Sequence, residues 1–146
     1  MSAALPLFGA RSWPVRLVLA GAPRTKKTHN RTFDIGKRCR ACRRGARTIV
    51  MPSEAWERWR DALVPKIRAA LPQGWAPIAQ PVNCAALFYR DAERGDSHGF
   101  YQGLADVLQE AGVVVDDCFL MSWDGSRLCK DRDRPRVELA LTPIGD

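Results

Sequence analysis

Three aspartates lie where predicted secondary-structure elements end, which is where a rigid scaffold can direct side chains into one site. Asp96 ends a polar loop in front of a predicted helix, and Asp116 and Asp117 follow the short apolar run after that helix. The helix is about 20 Å long by its rise per residue, and a chain that returns alongside it can bring both ends of the segment to the same sheet. The three carboxylates are therefore candidates for one shared acidic site.

The elements that would position these aspartates are a strand, a helix and a short return. Residues 81–90 are rich in apolar side chains and predict the central strand. The helix is predicted over Gly99 to Ala111, and Gly112 is a natural C-terminal stop. Residues 113–115 form a short apolar run, and residues 119–123 predict a further strand.

The rest of the chain predicts three more strands and a second helix. Residues 15–21, 48–51 and 136–141 are short apolar runs typical of strands. Ser53 can cap a helix in which tryptophans and aliphatic residues recur at three- and four-residue spacing. Pro65 lies inside that pattern, where it removes a backbone hydrogen bond, so we expect a kink or two shorter helices.

The length and composition favour one folded unit. A chain of 146 residues that is 46% hydrophobic can bury one good core and is short for two. We therefore expect a single domain over residues 1–146 with an α+β fold, in which two principal helices pack on a small mixed sheet. Five cysteines without a convincing signal peptide are typical of a reducing compartment, which predicts a cytoplasmic protein. Because no apolar stretch reaches the roughly 18 residues of a membrane span, we expect no membrane partner.

Positive charge is concentrated near the N-terminus. Residues 23–47 contain ten basic residues and one acid, Asp34, whereas the whole chain carries a net charge of +7. Such a block binds a polyanion because each neutralised phosphate releases condensed counterions. A solvated basic loop without a specific partner is the alternative. We predict a basic loop or hairpin here, with these candidate DNA-binding side chains: Arg24, Lys26, Lys27, Arg31, Lys37, Arg38, Arg40, Arg43 and Arg44.

Cys39 and Cys42 form a single CxxC inside this basic block. Structural zinc needs four ligands, and the other three cysteines lie far away in the sequence. His29 or a dimer mate could complete a zinc site. A zinc-organised interaction module is therefore one further hypothesis for this region.

The string GDSHGFYQGLADVLQEAGVVVDD, residues 95–117, resembles the RusA-type Holliday junction resolvases. In that family an aspartate motif opens a helix that contains Ala-Asp-x-Leu, and Ala-Gly-Val and an Asp-Asp pair follow. The resemblance extends more loosely to the first strand with its basic loop, the helix after Ser53 and the closing strand, so it covers most of the chain. An Asp-Asp pair alone is common, whereas the whole ordered string is more specific.

The resemblance implies a homodimeric, metal-dependent endonuclease that binds and resolves four-way DNA junctions in recombination and repair. Matched position by position, Asp96 corresponds to the first aspartate of the family motif and Asp117 to the second of the late pair, with Asp116 beside it. These three residues would be the catalytic metal ligands. Magnesium, or manganese, suits carboxylate oxygens and keeps several waters, one of which can attack phosphorus while the metal offsets the developing charge.

Two positions depart from the family pattern. The motif usually reads Asp-x-Asp-Asn, but here it is Asp96-Ser97-His98-Gly99, and Gln102 replaces a helix lysine. His98 could be a metal ligand through a neutral imidazole, which favours manganese or another borderline metal, or it could simply decorate the helix start. Gln102 can hydrogen-bond a phosphate oxygen of the DNA, but it cannot supply the positive charge of a lysine.

These departures leave two hypotheses open. The leading one is an endonuclease for branched double-stranded DNA, and the alternative is a non-catalytic or weakly catalytic junction-binding protein that keeps the fold. Asp106 shares a helix face with His98 and Gln102 and could join the site. The simpler interpretation of Asp106 is a solvated acid on an exposed face.

Overall fold

The computed structural model describes residues 11–26, 31–35 and 47–145. Within these ranges the chain forms seven β-strands, two α-helices and one short 3-10 helix. In chain order the elements are β1 (Val15–Ala20), β2 (Arg31–Ile35), β3 (Arg47–Met51), α1 (Glu54–Ala70), β4 (Val82–Arg90), α2 (Ser97–Glu110), the 3-10 helix (Asp117–Phe119), β5 (Leu120–Ser122), β6 (Arg127–Lys130) and β7 (Arg136–Pro143).

Five strands form one mixed sheet with β4 in its interior. β4 pairs antiparallel with β7 on one side and parallel with β5 and β6 on the other, and β1 pairs antiparallel with β7 at the edge. Successive side chains of a strand point to opposite faces of its sheet. Accordingly, every second residue from Val82 to Phe88 is fully buried: Val82, Cys84, Ala86 and Phe88. The predicted α+β fold with a small mixed sheet is confirmed.

Side chains complete the sheet between β5 and β6. The Asn83 Oδ1 atom accepts the Asp124 N–H at 2.8 Å, and the Ser126 hydroxyl accepts the Ala86 N–H at 2.9 Å. The strand predicted over residues 119–123 is present as β5, but β6 was not predicted. The four residues of β6 begin and end with a charged side chain, so their strand conformation depends on pairing with β4 rather than on a local apolar pattern.

α1 begins where the sequence predicts, because the Ser53 Oγ atom accepts the Trp56 N–H at 3.3 Å. The helix is continuous through Pro65, so the expectation of two shorter helices is wrong. Pro65 and Asp61 are exposed, and water can therefore hydrate the Asp61 carbonyl to which Pro65 cannot donate. The buried face consists of Trp56, Trp59, Leu63, Val64 and Ile67.

α2 begins two residues earlier than predicted. The Asp96 Oδ1 atom accepts the Gly99 N–H at 2.6 Å, so Asp96 is the N-cap and Ser97 the first helical residue. Gly112, with φ of +77°, follows the helix as the predicted stop. The apolar stripe joins α1 and the sheet in one hydrophobic core through Phe100, Leu104, Val107 and Leu108. Among the described residues, no helix is long and apolar enough to cross a membrane.

β2 and β3 form a two-stranded antiparallel sheet inside the predicted basic loop or hairpin. The strand predicted over residues 48–51 is β3, which starts one residue earlier, whereas β2 was not predicted. Residues 27–30 and 36–46 lie outside the described residues. The predictions for the following residues therefore fall outside the structure: Lys27, His29, Lys37, Arg38, Cys39, Arg40, Cys42, Arg43 and Arg44.

Candidate functional site

The segment Arg24–Lys26 is held against the N-terminus of α1. The Ser53 N–H donates to the Lys26 carbonyl at 3.1 Å, and the Ser53 hydroxyl donates to the Thr25 carbonyl at 3.0 Å. Thr25 is buried, with 7% of its surface exposed. Ser53 therefore caps α1 and also binds this segment. In this way the start of α1 holds the beginning of the basic region in place where it follows the main sheet.

Three glycines spaced four residues apart allow this segment and α1 to approach α2 closely. A Cβ atom added at Gly95 would lie 3.0 Å from Thr25 Cγ2, and one added at Gly99 would lie 3.2 Å from the same atom. At Gly103 the added atom would lie 3.0 Å from Trp56 Nε1, which donates to the Gly103 carbonyl at 3.3 Å. A side chain at any of these positions would therefore crowd its neighbours: Thr25 at Gly95 and Gly99, and Trp56 at Gly103.

Lys26 connects the basic region to α2. Its Nζ atom lies 2.5 Å from Asp106 Oδ2 and 4.8 Å from the centre of the Trp56 ring. An indole face and a carboxylate both stabilise an ammonium charge. With 27% of its side chain exposed, Asp106 is a partly buried member of an ion pair, so its interpretation as a solvated acid is corrected.

Asp116 and Asp117 stand side by side at the start of the 3-10 helix. The Asp116 Oδ1 atom accepts the Cys118 N–H at 2.9 Å, and this hydrogen bond lowers the pKa of Asp116. The pKa of Asp117 is raised, first by a hydrogen bond with Asp116 and further by desolvation and by repulsion from Asp116 and Asp106, an effect that Lys26 partly offsets. We refer to Asp106, Asp116 and Asp117 as the acidic cluster.

Asp96, His98 and Gln102 are exposed residues in the N-terminal part of α2 and its cap. Ten residues separate Asp96 from Asp106, which corresponds to about 15 Å along a helix axis. Asp106 and Lys26 both affect the pKa of Asp117, whereas Asp96 and His98 lie at the other end of α2 from Asp106.

The acidic cluster supplies oxygen ligands of the kind that magnesium prefers. Its crowded carboxylates raise the pKa of Asp117, and a divalent cation would relieve that repulsion. In the described parts of the chain, no three His, Cys, Asp or Glu side chains converge closely enough to hold a metal ion. The donor chemistry thus fits magnesium or manganese, and complete coordination requires the carboxylates of the cluster to converge further.

Two arginines that the sequence analysis did not single out precede Asp96 in the chain. Arg90 and Arg94 line a cleft of about 290 Å³ together with Arg24, which lies 3.4 Å from Asp91. Both arginines flank the polar loop that leads to Asp96, where basic and acidic residues are interleaved. A count of net charge singles out residues 23–47, whereas in this loop the acidic residues cancel the basic ones. The useful signal was the position of these arginines next to a candidate site residue.

Neither a protein-family model nor a curated protein matches this chain. The likeness to RusA-type resolvases therefore depends on the ordered motif over residues 95–117.

Proposed function

We propose that this protein is a RusA-like, metal-dependent endonuclease that binds and resolves four-way or other branched DNA junctions. The observation that carries the proposal is the Lys26–Asp106 ion pair at 2.5 Å, because it joins the basic region to the helix of the resolvase-like motif. A polyanion bound by the basic region would thereby be brought next to carboxylates suited to a metal ion. Homodimerisation and a cytoplasmic location belong to the same proposal.

Lys26 brings a positive charge near Gln102, the position at which the family pattern has a lysine. Asp106 lies four residues after Gln102, so the two side chains occupy neighbouring positions on one face of α2. The ammonium group bound to Asp106 therefore stands about one helical turn from the position at which the family pattern has a lysine. In the proposed enzyme, Lys26 supplies the positive charge that Gln102 lacks.

The acidic cluster would hold the metal ion. Magnesium or manganese at these carboxylates would polarise a phosphate oxygen of the DNA and activate a water molecule. The contribution of the chain itself is to fix the aspartates at the start of the 3-10 helix and to hold Lys26 between Asp106 and the Trp56 ring. Because phosphate contacts position DNA without reading bases, we expect the shape of the junction to dominate binding.

The test is cleavage of a synthetic four-way junction in the presence of magnesium or manganese. Asp117→Asn is expected to abolish cutting while junction binding persists, because it removes a candidate metal ligand without reducing the positive charge of the protein. Asp133→Asn, at an exposed aspartate in the turn before β7, is the matched control and should cut like the unsubstituted protein. Undiminished cleavage by the Asp117→Asn variant would refute the assignment of the site.

A second candidate function is junction binding without cutting. It is favoured by the side chain of Asp96, which serves as the cap of α2 and lies far from the acidic cluster, and by His98 and Gln102 in place of a carboxylate and a lysine. This alternative predicts tight, salt-sensitive binding of the junction and no cleavage with magnesium, manganese or zinc. Cleavage that depends on any of these ions would exclude it.

A further inference from the structure

A cleft of about 290 Å³ opens between the end of β4, the first turn of α1 and the segment before Lys26. Gly95 lines it, so the cleft directly adjoins Asp96 at the start of α2. Gly95 has φ of +80°, and a Cβ atom there would lie 2.9 Å from the Phe100 ring. The cleft lies at the lower end of the size range of small-molecule sites, roughly 300 Å³, and therefore suits a small group.

Three arginines from two segments of the chain line this cleft: Arg24 from one segment, and Arg90 and Arg94 from the other. The Arg24 guanidinium lies 3.4 Å from the Asp91 carboxylate. Within the described residues, Arg90 donates only to the main-chain carbonyls of Cys129 and Arg94, each at 3.3 Å. The Arg94 side chain makes no ion pair with any residue in the described ranges. Two of the three positive charges are thus not paired with a carboxylate in this part of the structure.

Among the described residues, the acidic ones that line the cleft are not paired with Arg90 or Arg94. Asp91 faces Arg24, as described, and Glu54 in the first turn of α1 lies 3.5 Å from the Arg58 guanidinium. Both carboxylates therefore have a cationic neighbour other than Arg90 and Arg94. An anion that enters the cleft would meet the charges of those two arginines.

We propose that this cleft binds a phosphate group of the DNA strand, with Arg90 and Arg94 as its ligands. The identity of the partner as DNA rests on the proposed function, whereas the preference for phosphate rests on the cleft itself. A guanidinium group presents a planar set of N–H donors that matches two phosphate oxygens at once. Since Gly95 and Asp96 are adjacent, a phosphate bound here would hold the strand at the N-terminus of α2 rather than at the acidic cluster.

The test compares the salt dependence of binding to a four-way junction for Arg94→Gln, Arg90→Gln and the double variant. Loss of this one phosphate contact in the double variant is expected to reduce the slope of log K against log salt concentration by about 0.9, and each single variant should reduce it by less. At 0.1 M salt we expect the double variant to bind the junction about tenfold more weakly, uniformly across sequences. Arg16→Gln, at an exposed arginine on β1, is the charge-matched control and should leave the slope closer to that of the unsubstituted protein.

A second arm uses inorganic phosphate alone and separates the cleft from the DNA hypothesis. Phosphate, compared with chloride at equal ionic strength, should shift the amide NMR signals of Thr25 and Gly95, and Arg94→Gln should remove that response. Arg94 is exposed, so this variant should keep the native amide spectrum elsewhere.

Each result has a distinct meaning. Unchanged slopes in the double variant, with normal junction binding, would overturn the cleft as a DNA phosphate site and leave the proposed function intact. If the protein does not bind DNA, the proposed function fails. In that case a phosphate response that depends on Arg94 would still support an anion site for a free phosphate group, and the absence of a response would overturn it.

Discussion

Replacement of Ser53 by alanine tests whether one side chain both caps α1 and holds the segment Arg24–Lys26. The Ser53 Oγ atom accepts the Trp56 N–H at 3.3 Å and donates to the Thr25 carbonyl at 3.0 Å. Loss of a serine N-cap costs about 1 kcal/mol, and loss of a buried neutral hydrogen bond costs about 1 kcal/mol more. We therefore expect Ser53→Ala to lower the free energy of unfolding by about 2 kcal/mol.

Urea denaturation monitored by tryptophan fluorescence measures this change. The slope of free energy against urea concentration should stay the same, because the substitution removes no large apolar surface from the core. The same loss predicts a fall in Tm of roughly 4–8 °C for a chain of this size. Junction binding should also weaken, since the lost hydroxyl hydrogen bond holds the Thr25 carbonyl, next to Lys26, against α1.

Ser97→Ala is the matched control. Ser97 is the first residue of α2, is exposed, and forms no side-chain hydrogen bond with any residue in the described ranges. Its replacement should change the free energy of unfolding by less than about 0.5 kcal/mol. If Ser53→Ala were as mild as Ser97→Ala, the Ser53 hydroxyl would not connect α1 to the basic segment as the hydrogen bonds indicate.

Three further predictions follow from the same contacts. The pKa of Asp117 is raised in the folded state, so folding disfavours the ionised carboxylate. Asp117→Asn should therefore raise Tm at pH 7. The gain in Tm should vanish below about pH 3, where the Asp117 carboxyl is protonated in both the folded and the unfolded state. Gly103→Ala should lower the free energy of unfolding, measured in urea, by about 1 kcal/mol. Crowding of the new methyl group against Trp56 Nε1 should outweigh a gain of about 1 kcal/mol in helix propensity. A more stable variant would show that Trp56 can move aside. Burial raises the pKa of the Cys84 thiol to about 12. Iodoacetamide at pH 8 should therefore alkylate the exposed Cys118 before Cys84. Equal alkylation rates of the two cysteines, measured by mass spectrometry, would contradict the buried position of Cys84.

The sequence was sufficient for elements whose signal is local. The apolar residues of β4 and of both helices predicted the central strand and the two buried helix faces, and Ser53 marked the start of α1 correctly. These features could be predicted because helix caps and apolar periodicity act within a few residues. The start of α2 was placed two residues late because the cap role of Asp96 was not recognised.

Elements that depend on a partner strand were not predictable in the same way. β6 and β2 are short and carry charges, and each is held by pairing with another strand rather than by its own pattern. Neither Asn83 nor Ser126 suggests by type alone that it completes the sheet beside β5 and β6. Only the folded arrangement supplies those partners.

The sequence by itself determined the segregation of charge, the candidate aspartates and the resemblance carried by residues 95–117. Only the tertiary structure decided which of these groups meet. Lys26 pairs with Asp106 across 80 positions of the chain, and the cleft that Gly95 lines brings Arg24 together with Arg90 and Arg94. Sequence patterns report interactions over a few residues. These contacts instead exist because the sheet, both helices and the glycines at residues 95, 99 and 103 bring distant segments within a few ångströms of one another.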